Sequence, residues 1–217
     1  MSTDLLKQVK IAYKKLKSYA YFDKNAFFLK RRIAEFENNT NNLDEYFETI
    51  TRKLILRKEL CDCPERPIML PKSLVTEDCG SFVTNLPKTP EILKIQYFAD
   101  TRIDEAIISV LWVIRVGSKI DQLLSENCYG NRVQNKTVDT WSPYLFKPFP
   151  HQYSAWRDLG IQEASECIDK EKDCIVITSD FSSFYYNLHL TESVKNRIFE
   201  LIDKNTKDSS FDYYLTS

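Results

Sequence analysis

Cys174-Ile-Val-Ile-Thr-Ser-Asp-Phe-Ser-Ser-Phe-Tyr-Tyr-Asn-Leu188 carries more information than any other stretch of these 217 residues. Its first half is apolar and rich in β-branched side chains, so it reads as a buried β-strand. The strand closes on one carboxylate, Asp180, and an aromatic-rich turn follows. An acid at the exposed end of an apolar strand is where a sheet can hold a hard divalent cation, which prefers carboxylate and carbonyl oxygen. The two donors here are the Asp180 side chain and the main-chain carbonyl of Phe181.

Composition narrows the rest. The chain is long enough for one domain or two small ones, and its aromatic content argues against disorder. Net charge is -1, so bulk charge does not announce a nucleic-acid binder and any basic surface must be local. Only 4 glycines occur, and neither G-x-x-x-x-G-K-[ST] nor G-x-G-x-x-G is present, which removes the common phosphate cradles. The start, Met-Ser-Thr-Asp-Leu-Leu-Lys, lacks the apolar core of a signal peptide, and no apolar run is long enough for a bilayer; a cytoplasmic protein without a membrane partner is expected. The 6 cysteines are scattered, and Cys61-Asp-Cys63 finds no second pair to complete a zinc site, so reduced, mostly buried thiols are expected. The two Asn-x-Thr matches, at Asn38 and Asn135, are chance in that setting.

Periodicity organises the chain as α+β, with a helix-rich region over 1–60 and a second region over 61–217. Leu5, Val9, Ala12, Leu16 and Tyr19 recur at helical steps; Phe28, Ile33 and Phe36 mark a second helix closed by Asn38–Asn42; Leu43, Tyr46, Phe47, Ile50 and Leu54 mark a third. Pro64, Pro67, Pro71, Pro87 and Pro90 break any long helix, leaving loop and short strands over Pro67–Leu70 and Ser81–Leu86. Helical spacing returns from Asp104 to Leu124, weakened or divided at Gly117, and again from Gln152 to Lys170. A last helix runs from Thr191, a good N-cap, to Lys204, and the tail after Asn205 is expected to fray.

The Asp180 stretch resembles motif A of the reverse-transcriptase palm, in the form D-[IF]-x-x-F-[YF] found in bacterial enzymes. Arg66-Pro-Ile-Met-Leu-Pro-Lys72 resembles the fingers segment R-P-[LI]-x-[IL]-P, and Tyr129-Gly-Asn-Arg132 is similar to the Tyr-Gly-x-Arg element that follows a helix in the group II intron-like enzymes. The three stand in the family's order across Pro64–Leu190. Trp112, Trp156 and the run Tyr144–Phe149 look closest to abortive-infection and other phage-defence types. The resemblance implies fingers and an incomplete palm over 61–217. It implies Asp180 as catalytic residue and magnesium ligand, Phe181 as carbonyl ligand, and Tyr185 as the sugar gate that favours deoxynucleotides. Arg66, Lys72 and Arg132 become contacts to substrate or template. Magnesium, deoxynucleotides and a template–primer are the ligands it implies.

One part of the pattern is missing. No [YF]-x-D-D follows Asp180; Phe211-Asp-Tyr-Tyr214 has a single acid. One carboxylate cannot hold a two-metal pair, so the chain is expected to be a fragment of an RNA-directed DNA polymerase, inactive alone. A second polypeptide supplying the missing palm is one extension of that expectation. The alternative is a non-catalytic helical module binding RNA or protein. Lys7, Lys10, Lys14 and Lys17 on one face of the first helix, with Lys30-Arg-Arg32 and Arg52-Lys53, would then contact phosphates.

Overall fold

The computed structural model describes residues 2–23, 26–57, 66–74, 92–134, 142–180, 191–202 and 209–216. Helix α1 (Ser2–Phe22) turns one face inward and buries Leu5, Val9, Ala12 and Leu16 of the stripe read from the sequence, together with Tyr13 and Ala20, whereas Tyr19 of that stripe is exposed. Helix α2 (Phe27–Asn39) contributes Ile33. Asn42 then starts α3 (Leu43–Ile55): its side-chain oxygen accepts from the Asp44 and Glu45 amides at 3.1 and 3.3 Å, satisfying two donors that the first turn leaves open.

These helices close on α4 (Ile103–Trp112), whose Ile103, Ala106, Ile107, Val110 and Leu111 are buried. Val9, Ala12, Leu54, Ile107 and Leu111 lose all contact with solvent, and each large aliphatic side chain among them contributes about 1.5–3 kcal/mol. Tyr13 sits among them with its ring against Phe36 and Phe47, and its hydroxyl donates to Glu37 at 2.7 Å. Leu145 joins the same core from beyond α4.

At Gly117, where a weakened or divided helix is expected, the chain passes through one π turn, Val113–Gly117, and continues as α5 (Ser118–Leu123). A β-carbon at Gly117 would meet Val113 Cγ1 at 3.4 Å, an ordinary contact, so the widened turn does not need the missing side chain for space.

The sheet among the described residues is one antiparallel ribbon, β1 (Arg66–Leu74) with β2 (Ile92–Asp100), so the α+β class holds at that coarse level. Arg66 stands opposite Asp100, Ile68 opposite Phe98, and Leu70 opposite Gln96. Pro67 and Pro71 are tolerated because each strand of a two-stranded ribbon is an edge. The register shifts between Pro71 and Ser73, which leaves Lys72 as the extra residue of a bulge. The expected strand over Ser81–Leu86 lies outside the described residues, and β2 stands where no strand is expected from the sequence.

Helix α6 (Phe149–Asp169) matches its expected span yet buries no residue. Thr191 caps α7 (Glu192–Ile202), its hydroxyl accepting from the Val194 amide at 3.3 Å. Three expectations are overturned. Residues 172–180 form no strand, because strand pairing needs a neighbour and no described segment lies beside them. Beyond 203–208, which are not described, the tail does not fray. Ser209–Thr216 is helix α8, anchored by a nearly fully buried Asp212. Nor are the described thiols buried: Cys128 and Cys167 are half-buried and Cys174 is exposed. No described helix is long and apolar enough to cross a membrane.

Candidate functional site

Asp180 is placed by the way α6 ends. The Glu171 amide donates to the Ile168 carbonyl and the Lys172 amide to the Cys167 carbonyl, both at 2.9 Å, with Glu171 at φ 53. That pair of bonds around a left-handed residue closes the helix and turns the chain outward. Residues 172–180 then run exposed and without regular structure: Ile175 is 86% exposed, Val176 73% and Ile177 85%. Asp180, at the end of this run, is exposed too. Phe181 and Tyr185 lie outside the described residues.

Arg132 is held in a different way. Its Nε donates to Asp121 Oδ1 at 2.9 Å, and its Nη1 to the carbonyls of Ser125 and Cys128 at 3.1 and 2.8 Å. The same Asp121 oxygen accepts from the Val133 amide at 3.0 Å. Both side chains are largely buried, and the hydrogen bond to Asp121 raises the guanidinium's pKa above its ordinary value. The guanidinium therefore fixes the turn between α5 and Val133, with its donors directed at protein oxygens. In this turn the left-handed conformation falls on Asn131, at φ 48, and not on the neighbouring Gly130.

The fingers-like segment is the ribbon strand β1. Arg66 lies at its base, opposite Asp100, and Lys72 projects exposed from the bulge at the other end. At the base, Arg32 of α2 grips Asp100 with two donors: Nε reaches Oδ1 at 2.7 Å and Nη2 reaches Oδ2. Beside this pair, ribbon and helices border an open cleft of about 260 Å³ lined by Tyr19, Asp23, Phe28, Leu29, Ile68, Leu70 and Phe98. No sequence pattern announces this cleft, because its walls come from segments far apart in the chain.

Two further polar features are equally invisible to sequence reasoning. Lys15 is buried on the inward side of α1 and donates to the carbonyls of Ser142 and Tyr144, each at 2.8 Å; burial lowers its pKa. Asp212 of α8 is gripped by Arg115 at 2.6 Å and by Lys119 at 2.7 Å. Opposite charges at 115 and 212 are far apart in sequence, and nothing local marks them as partners.

The basic stripe of α1 is partly neutralised. Lys10 pairs with Asp44 at 2.7 Å and Lys17 with Glu37 at 2.6 Å, while Lys7 and Lys14 remain exposed. For magnesium, Asp180 is one hard donor. Among the described residues no group of three or more His, Cys, Asp or Glu side chains could hold a metal ion. The described donors therefore do not complete a ligand set for the cation. Comparison with protein-family models, with curated proteins and with solved structures gives no match to this chain.

Proposed function

We propose that the chain supplies the fingers and first palm segment of a reverse-transcriptase-like polymerase, and that catalysis needs further palm strands laid against residues 172–180. The observation that carries this reading is the exposure of Ile175, Val176 and Ile177 on a run that ends at Asp180. An apolar run of this kind is costly in water and is suited to the middle of a sheet. The order of parts supports it: a ribbon beginning Arg66-Pro67, a turn fixed by Arg132, an α-helix, then the Asp180 segment.

Within this reading Asp180 is the first acidic donor of the assembled site, with the Phe181 carbonyl beside it. Tyr185 lies under the nucleotide sugar, and Arg66 and Lys72 face phosphates. Arg132 acts by shaping the turn, since Asp121 and two carbonyls engage its donors. The partial neutralisation of the α1 stripe weighs against the alternative of a simple RNA-binding module.

The test is primer extension with magnesium, using this chain alone and mixed with the Tyr-x-Asp-Asp-bearing palm half of a bacterial reverse transcriptase. No extension is expected from the chain alone. Extension is expected from the mixture, and its loss on Asp180→Ala. A mixture that extends equally well with Asp180→Ala would remove the proposal.

A further inference from the structure

Helix α6 is 21 residues long and buries none of them, so it stands on the helical body as an arm of roughly 30 Å, at about 1.5 Å per residue. Beyond its C-terminal end comes Cys174-Ile-Val-Ile-Thr178, a run without charge in which Ile175 and Ile177 are almost fully exposed. Among the described residues nothing pairs with the main chain of 174–180. A run of this kind needs an open sheet edge of matching character, and the same chain carries one. In β2 the stretch Ile92-Leu-Lys-Ile-Gln96 contains no proline and, among the described residues, is bonded on its β1 side alone. The outer edge of β1 is poorer, because Pro67 and Pro71 lack donors and the bulge at Lys72 breaks its line. Both faces of the ribbon are apolar, with Ile68 and Phe98 on one and Met69 and Ile95 on the other. The run alternates Ile175 and Ile177 with Cys174 and Val176, so as a strand it too is apolar on both faces.

We propose that the chain self-associates by strand exchange: residues 174–178 of one copy add as a third strand to residues 92–96 of β2 in a second copy, which returns the contact. The partner is a second copy because one chain carries both halves of the contact, while α6 sets its own run out on an arm. A net charge of -1 leaves two copies little repulsion to overcome. Main-chain bonds along β2 supply the ladder, and the side chains on alternate faces find apolar cover. Exchange about a two-fold axis closes the pair, since each run and each β2 edge is then used. Each copy gives about ten residues to the interface, fewer than the roughly 20–30 of a standard one, so the dimer is weak and dissociates on dilution. The inference shares its run with the polymerase reading but does not rest on it; incoming palm strands would take the place of β2.

The test is sedimentation of the full chain from about 1 to about 200 µM, with hydrogen exchange at both ends of that range. The average mass should rise from one chain towards two, with a Kd on the order of 50 µM. In step with it, the amides of 174–178, and those of 92–96 that do not bond β1, should exchange about fivefold more slowly at the upper concentration. The variant joins Ile175→Pro to Val176→Pro. Neighbouring amides point to opposite sides of a strand, so one of the two must face β2, and proline removes it. Both positions are exposed, so the melting temperature at the low concentration should not move, while the mass increase and the protection are lost. A mass of one chain throughout, or a dimer that persists in the variant, overturns the proposal. Protection of 174–178 without 92–96 would mean that two runs pair with each other. Protection of both that does not vary with concentration would mean that the run folds onto its own ribbon. Either result removes the exchange, and growth beyond two chains removes the closed pair. No palm half enters the measurement, so a monomeric result leaves the primer-extension test of the polymerase reading untouched.

Discussion

Glycine and the left-handed conformation part company in this chain. Among the described residues Arg57, Asn131 and Glu171 have positive φ, and no glycine does. Asn131 tolerates that backbone better than most, since its short amide can bond locally. Glu171 has no such help; it occupies the helix-closing position that glycine usually fills, at a cost of about 1 kcal/mol. Glu171→Gly should therefore tighten the end of α6, slowing hydrogen exchange at the Glu171 and Lys172 amides by about fivefold. Gly130→Ala should leave the same amides and the melting temperature unchanged, because a β-carbon there meets nothing within 4 Å and φ is not positive. Faster exchange in Glu171→Gly would mean that the two closing bonds do not set the exit of the chain from α6. The left-handed residue of the 129–132 turn is Asn131 although Gly130 stands beside it: glycine makes a left-handed turn easy without making it necessary.

At the scale of elements, what is legible in the sequence is whatever depends on near neighbours. The apolar spacing of α1, the Asn42 cap of α3 and the Thr191 cap of α7 are local chemistry, and all three appear in the structure. The Cys174–Asp180 run is different. Its β-branched residues describe how a segment fits into a sheet and say nothing about whether a sheet is beside it. The Asp212 triad and the cleft wall at Asp100 depend on partners far along the chain, so no local pattern could reveal them. For residues 172–180 the exposure makes a direct prediction. Ile177→Asp should change stability very little, within about 0.5 kcal/mol by thermal melting, because the side chain is 85% exposed. In the primer-extension mixture the same change should abolish activity, since an aspartate there would be buried against the added strands. A large loss of stability in the isolated chain would show that the run is covered in solution and would undo the argument for an incoming sheet.

Across the whole molecule, stability is unevenly shared. The helical body has a continuous core of α1, α3 and α4, whereas the ribbon exposes Met69, Ile92, Ile95 and Tyr97 and is of the two-stranded kind that is marginal by itself. Its base is tied to the body by the Arg32–Asp100 pair, whose side chains are 33% and 22% exposed. At that exposure the pair is worth on the order of 1 kcal/mol after solvent screening. Asp100→Asn should consequently act on the ribbon alone. The amides of 66–74 and 92–100 should exchange about fivefold faster while the cooperative unfolding of the body stays where it was. Leu111→Ala should do the reverse, lowering global stability by about 2–5 kcal/mol through a cavity at a site with no solvent contact. If Asp100→Asn instead moved the global transition and left the ribbon amides exchanging only with the core, ribbon and helices would be one cooperative unit. The ribbon could not then part from the helices beside Asp100 without unfolding the body.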